Sequence, residues 1–441
     1  MTPVVPWSAP RAHGEIRAHV SVPGSKSETN RALLLAALAN GPSRIRGGLD
    51  SRDADLMRAA LAQFGVEITV ESTTGDWIVT PPARLTTPTE AVDCGLAGTV
   101  MRFVPPLAAA AGGTTAFTGD EEAFVRPMKP MLDGLRQLGC SIDSDFLPLT
   151  LVSPADTWGG PRVEIDSSAS SQFISALLLC AARFPQGIEV HHTGAEFPSI
   201  PPIEMSVKML RDRGVDASRA DERTWRVAPG VVEALDSQVE PDLTGASVFL
   251  AAAAIVGGEV TIEAWPRETT QSGAIFRDVL EAYGCTTELT DEGLTVRSSG
   301  ELHGADLDLR DGADLTPCAA AIALFATGET TIRGVAHIRG HETDRLAALR
   351  TEFAALGADV VETADGLVIQ GTGRSGTGLV GRTFETYADH RMAHAAALAG
   401  LVVDDVVLTD VACTTKTIRD FPGLWTAMLG ESAMLGESVV Q

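Results

Sequence analysis

The chain reads as an α/β protein made by internal repetition, with six units of strand, buried helix, strand, amphipathic helix, strand and strand, three to each of two domains. Three observations carry that reading. Small polar residues open an Ala-rich apolar segment six times, at Ser27, Thr99, Ser171, Thr244, Thr316 and His390, in steps of 72, 72, 73, 72 and 74 residues. In step with them, amphipathic segments stop at a glycine: Leu56 to Gly65, Met131 to Gly139, Met205 to Gly214, Ile275 to Gly284, Leu346 to Gly357 and, in degenerate form, Leu424 to Gly430. The 441 residues are too many for one core and suit two domains.

Each element has a local cause. Residues 1 to 13 are rich in Pro and Ala and read as unstructured, and Ile16 to Val22 reads as a strand leading to a hinge at Pro23-Gly24. The run Gly24-Ser25-Lys26-Ser27-Glu28-Thr29-Asn30-Arg31 then enters an alanine and leucine helix. A helix N-terminus presents free backbone N–H groups and the positive end of the dipole, and here it carries two cations and two hydroxyls, a setting for a phosphate or carboxylate. Val66-Glu67-Ile68-Thr69-Val70 alternates with the period of a half-exposed strand. Asp53 is expected to cap the intervening helix.

The second unit opens with Gly95-Leu96-Ala97-Gly98-Thr99-Val100-Met101-Arg102, whose glycines allow close approach to the backbone, and Arg126 follows in a surface loop. The third opening, Ser170-Ser171-Gln172, offers hydroxyl and amide groups without charge. A second crossover is expected near Glu240-Pro241. The fifth unit holds Asp314 and then His341-Glu342-Thr343-Asp344-Arg345. Asp314 and Glu342 fit equally a helix cap with a first-turn acid, or a proton acceptor and donor facing cations. The sixth supplies Asp389-His390-Arg391 and Thr415-Lys416-Thr417. The chain then repeats AMLGES, read as a frayed tail from about residue 427.

A formal charge of −24 argues against nucleic acid or an anionic membrane as partner. Small anions remain open, because the cations gather at the unit openings: Lys26, Arg31, Arg102, Arg126, Arg345, Arg391 and Lys416. No apolar run is long enough to span a bilayer, and the first ten residues lack a secretory pattern, so a cytoplasmic protein is expected. Six scattered cysteines read as buried thiols. The His191-His192 pair is not expected to bind metal.

Pro23-Gly24-Ser25-Lys26-Ser27 with Asn30-Arg31, Ala97-Gly98-Thr99 with Arg102, Arg126-Pro127, Ser170-Ser171-Gln172, His341-Glu342-Thr343-Asp344-Arg345, Asp389-His390-Arg391 and Thr415-Lys416-Thr417 together resemble the 5-enolpyruvylshikimate-3-phosphate synthases. The resemblance implies the enolpyruvyl transferase fold, a two-domain inside-out α/β barrel of six βαβαββ repeats. It places residues 1–23 and 240–441 in a discontinuous domain and 24–239 in a continuous one. The implied reaction moves the enolpyruvyl group of phosphoenolpyruvate to the 5-hydroxyl of shikimate-3-phosphate, by addition and elimination, with no metal or organic cofactor. A monomer acting on these two anions is expected.

Carried over by position, the resemblance makes Asp314 the proton acceptor and Glu342 the donor to carbon, with Lys26 sharing the acid role and His390 beside the reacting atoms. Shikimate-3-phosphate would be held by Lys26, Ser27, Arg31, Ser170, Ser171, Gln172, Ser199, Asp314 and His341. Phosphoenolpyruvate would be held by Lys26, Gly98, Arg126, Gln172, Arg345, Arg391 and Lys416. His341 stands where many members have Lys, Leu96 and His337 where Asn is frequent, and Pro202 where Tyr is frequent. The related transferase acting on UDP-N-acetylglucosamine would carry a Cys in the Gly119 to Arg126 loop, and none lies between Cys94 and Cys140. A relative with another alcohol acceptor, or a non-catalytic anion binder that has lost its acids, are the other readings; both Asp314 and Glu342 are present.

Overall fold

The computed structural model describes residues 4–154, 156–195 and 199–430. Backbone contacts divide the chain into two compact units: Gly24–Glu240, and the residues up to Pro23 joined with those from Pro241 onward. Each has its own apolar core.

Within Gly24–Glu240, three helices that are apolar almost all round, Lys26–Ala37, Gly98–Ala111 and Gln172–Cys180, pack on one another in the interior. The amphipathic helices Arg52–Gln63, Lys129–Gln137 and Pro201–Asp212 each bury one face. The other unit repeats the plan with Leu243–Val256, Thr316–Leu324 and His390–Gly400 inside, and with Phe276–Ala282, Arg345–Ala355 and Phe421–Met428 as the second set.

Among the described residues, five four-stranded sheets and one of three strands complete the units. In the third repeat, Arg162–Ile165 lies parallel to Ile188–His192, because the buried helix crosses between them. Thr224–Val227 then adds antiparallel on the far side, followed by Ala217–Arg219. Two strands join the sheet of a different repeat from the helix they precede. Ile16–Val20 precedes the first buried helix but pairs with Gly258–Glu263, in the sheet of the fourth repeat. Ser237–Gln238 precedes the fourth buried helix but pairs with Ser43–Arg46, in the sheet of the first. Each strand before a crossover stays in the unit the chain is leaving.

The sixth repeat differs more. Among the described residues its strands are Thr383–Phe384 and Val407–Leu408, and Trp7–Ser8 adds antiparallel to the latter. The N-terminal stretch expected to be unstructured therefore supplies a strand, and the Trp7 ring meets Phe421 edge-on at 5.9 Å. The tail read as frayed from 427 is helical through Met428, whose side chain is buried; the second AMLGES copy lies outside the described residues. All six cysteines are free, and no described helix is long and apolar enough to cross a membrane.

The six stop glycines, Gly65, Gly139, Gly214, Gly284, Gly357 and Gly430, all have φ between +75° and +100°. That left-handed conformation ends each amphipathic helix and is disfavoured for residues with a Cβ. A Cβ on Gly284 would meet nothing closer than 3.5 Å, whereas on Gly139 it would lie 3.0 Å from the Thr157 carbonyl oxygen. Gly284→Ala is therefore expected to cost only the conformational penalty, roughly 1–2 kcal/mol, and Gly139→Ala more, as measured by denaturant unfolding. Equal losses would show that backbone conformation alone sets the requirement.

Candidate active site

The starts of the three buried helices in Gly24–Glu240 are tied to one another by side chains from the repeated openings. Asn30 Nδ2 donates to Thr99 Oγ1 at 2.7 Å, joining the first start to the second. Arg102 Nη1 donates to Gln172 Oε1 at 2.7 Å, joining the second to the third, while its guanidinium lies over the Phe173 ring. Since a guanidinium only donates, this bond fixes the amide so that the Gln172 NH2 group is turned away from Arg102. Arg126 Nη1 donates to the Leu96 carbonyl at 2.9 Å. A Cβ on Gly98 would lie 3.2 Å from Arg126 Nη2 and 3.5 Å from Arg102 Nη1, so the missing side chain lets two cations rest against one helix start.

Arg31 sits beneath this surface. It is fully buried and uses all five N–H donors inside the protein, on Ser206, Ser175, the Pro202 carbonyl, and the hydroxyl and carbonyl of Ser27. Burial pushes its pKa down to about 10, which leaves it charged at neutral pH. The direct substrate contact expected of Arg31 thus requires exchange of one of these bonds; as placed, it orients Ser27 and supplies charge from below. Pro202, which stands where Tyr is frequent, accepts from Arg31 through its carbonyl. Ser171 is buried at the third start, Ser170 Oγ accepts from the Gln172 N–H at 3.3 Å, and Ser199 precedes the helix Pro201–Asp212.

Lys26 in the first helical turn lies 3.4 Å from Asp53, whose side chain is almost wholly buried. The cap expected of Asp53 is instead provided by Ser51, which accepts from Ala54 N–H. Asp53 is a partner of Lys26 that sequence reasoning missed. The signal available was Ser51, a better cap two residues earlier, which left the acid without a structural task.

In the second unit the charges are balanced. Arg345, with a side chain 2% exposed, donates Nε and Nη2 to both oxygens of Asp389 at 2.7 and 3.2 Å, Nη1 to Asp314 at 2.6 Å, and Nη2 to Glu342 at 3.0 Å. His341 Nδ1 lies 3.1 Å from Arg345 and 3.3 Å from Asp314, and Lys416 pairs with Glu342. Arg391 donates from Nη1 to the Thr244 carbonyl at 2.8 Å, joining the sixth start to the fourth. His390 is buried beside Asp389. Asp314 is not a helix cap: it closes the turn Arg310–Leu315, half exposed, ahead of the helix Thr316–Leu324. Glu342 precedes a helix that Asp344 caps.

The electrostatics follow. Partial loss of water would raise the pKa of Asp314, but the His341 hydrogen bond and the charges of Arg345, His341 and Arg391 hold it well below the usual carboxylate range. Burial opposes the charge of Arg345, yet Asp389, Glu342 and Asp314 keep it protonated above its ordinary range. Among the described residues, Arg126 Nε and Arg391 Nε, and away from these helix starts Arg58 Nε and Arg374 Nε, are buried N–H donors with no acceptor in the protein. Leaving such a donor unpaired costs roughly 1–3 kcal/mol, and a substrate anion is the natural acceptor. No described group of three or more His, Cys, Asp or Glu is placed to hold a metal ion.

His394, one turn beyond His390, is fully buried and stacks on Phe421 at 5.0 Å, with neither ring nitrogen hydrogen-bonded. Burial, then Arg391 and Arg345, hold its pKa well below 6.5, so it is neutral when folded. The unfolded chain takes up this proton below about pH 6.5, so stability falls as pH drops past that value, by up to about 1.4 kcal/mol per unit. His394→Phe is expected to flatten that part of the profile in unfolding measured from pH 7.5 to 5.5; parallel profiles would assign the loss elsewhere.

Three comparisons bear on this arrangement. A family model described as EPSP synthase (3-phosphoshikimate 1-carboxyvinyltransferase) matches residues 10–425. A 3-phosphoshikimate 1-carboxyvinyltransferase of Kocuria rhizophila is 48% identical over 435 residues, covering 96% of each chain. Among solved structures, an EPSP synthase from Acinetobacter baumannii superposes with a TM-score of 0.79 at 24% identity, covering 96% of this chain and 98% of that one. The enolpyruvyl transferase NikO from Streptomyces tendae does so with a TM-score of 0.73 at 16% identity, covering 97% and 98%. These two show the shared fold.

Proposed function

We propose, for a chain that belongs to the EPSP synthase (3-phosphoshikimate 1-carboxyvinyltransferase) family, that it transfers the enolpyruvyl group of phosphoenolpyruvate to the 5-hydroxyl of shikimate-3-phosphate and releases phosphate. The observation that carries this reading is that Arg126, against the helix start at Gly98, and Arg391, at the start of the helix His390–Gly400, each keep a buried guanidinium N–H group without a protein acceptor, as Arg58 and Arg374 do elsewhere. Both substrates are anions, and such donors gain what the protein denies them when a phosphate or carboxylate arrives.

In this mechanism Asp314 takes the proton of the 5-hydroxyl as that oxygen bonds to C2 of phosphoenolpyruvate. Glu342 delivers a proton to the methylene carbon, giving a tetrahedral intermediate. Glu342 then takes a proton back from the methyl group as the C–O bond to phosphate breaks, which restores the double bond, and Asp314 returns its proton to the departing phosphate. Lys26, Ser27, Ser170, Ser171, Gln172, Ser199 and His341 hold shikimate-3-phosphate, with Arg31 acting through Ser27. Lys26, Gly98, Arg126, Gln172, Arg345, Arg391 and Lys416 hold phosphoenolpyruvate, and His390 lies beside the reacting atoms. The enzyme works as a cytoplasmic monomer without metal or organic cofactor.

The direct test supplies the purified chain with both substrates and follows phosphate release, which must need shikimate-3-phosphate and yield its enolpyruvyl ether. Release that continues without the alcohol, or none with it, overturns the assignment. Asp314→Ala is expected to keep substrate binding measurable by calorimetry while lowering turnover by roughly 10²-fold or more; turnover near wild type would remove Asp314 from the mechanism.

A further inference from the structure

Immediately before the helix His390–Gly400 the backbone makes a turn that its sequence does not favour. Tyr387 and Ala388 have φ of +54° and +52°, and the Asp389 N–H returns to the Thr386 carbonyl at 2.8 Å. Two successive positive φ values under such a bond belong to the turn class that prefers Asn-Gly, and neither Tyr nor Ala is at ease there. A strained turn persists only when its surroundings over-determine it.

Here they do. Glu352, nearly buried, accepts from the Glu385 N–H at 3.1 Å through Oε2 and from the Tyr387 hydroxyl at 2.8 Å through Oε1. The Glu385 carboxylate accepts from the Tyr387 N–H at 3.0 Å and from Thr409 Oγ1 at 3.0 Å, and Thr409 Oγ1 accepts from the Thr386 N–H at 3.1 Å. Glu352 belongs to the helix Arg345–Ala355, two turns after Arg345 and on the same face. One helix therefore grips the turn twice, through Glu352 at its entry and through Arg345 on Asp389 at its exit. Asp389 is completely buried and caps the next helix by accepting from Arg391 N–H at 2.8 Å, so its carboxylate has one orientation to offer.

We propose that Glu352 and Tyr387 are positioning residues: by holding the strained Tyr387-Ala388 turn they fix the Asp389 carboxylate, and through it the plane in which Arg345 meets phosphoenolpyruvate. This rests on the function proposed above for Arg345. The strain has a purpose on this account, since a relaxed turn would let Asp389 and the guanidinium rotate together.

Two substitutions test it. Tyr387→Phe removes one hydroxyl; KM for phosphoenolpyruvate is expected to rise about tenfold, with kcat within about threefold and KM for shikimate-3-phosphate unchanged. Ala388→Gly suits positive φ better, so Tm should hold or rise while KM for phosphoenolpyruvate still rises at least about threefold. A merely structural turn would move these the other way: Tyr387→Phe lowering Tm with KM unchanged, or Ala388→Gly raising Tm with KM unchanged, overturns the proposal. The Arg345 Nε–H resonance, assigned by its loss in Arg345→Lys, gives a readout independent of turnover. It should shift and exchange faster in both variants, and an unchanged resonance also overturns the proposal. Absence of turnover in the unsubstituted chain would instead refute the enzymatic assignment, leaving the resonance to decide the positioning role.

Discussion

A buried arginine shared by three carboxylates is the constraint on which the second unit depends. A guanidinium removed from water is tolerated only with its N–H groups bonded and its charge matched. Arg345 meets both conditions by drawing Asp389, Asp314 and Glu342 from three separate stretches of chain. Those stretches open or precede helices of the fifth and sixth repeats, so neutralising one charge also sets where those elements begin. The acids that the fold needs as counter-ions are the acids that the proposed chemistry needs as proton carriers.

The Gly24–Glu240 unit solves the same problem differently. Arg31 is bonded by hydroxyls and carbonyls, and Arg102 by an amide and the Pro127 carbonyl, while Lys26 lies beside the carboxylate of Asp53. Neutral acceptors satisfy geometry without cancelling charge, so these helix starts stay electropositive in a chain of net charge −24. A cationic set suits a multiply charged alcohol substrate. A balanced set suits a step in which protons move.

The period of the chain was legible because it rests on local chemistry: polar residues that open helices, glycines that close them, and alanine-rich segments that can only be interior. The six stop glycines lie where the turn of the helix needs positive φ, and Asp389 and Ser25 cap as their types suggest. Strand partners were not legible. Ile16–Val20 and Ser237–Gln238 look the same in sequence whichever sheet they join, and Trp7–Ser8 is too short to carry a period. At the site, the cations were legible from their places at the openings. The burial of Arg31, the Asp53 partner of Lys26 and the Tyr387-Ala388 turn were not, since each depends on residues distant in sequence or on a conformation that the residue types resist.

In the reaction proposed here, double use of the acids ties turnover to binding. Asp314 is held well below its usual range by His341, Arg345 and Arg391, and in that condition it is a poor proton acceptor. An anion that engages Arg345 and Arg391 takes up part of their positive field, so the carboxylate regains basicity as the substrate arrives. Lys416 and Arg345 likewise hold both oxygens of Glu342, and a phosphate drawing these cations toward itself frees an oxygen to carry a proton. Substrate charge is then what converts structural counter-ions into an acid and a base, and within this unit the unpaired Arg391 N–H group gives an anion a donor before any existing ion pair must break.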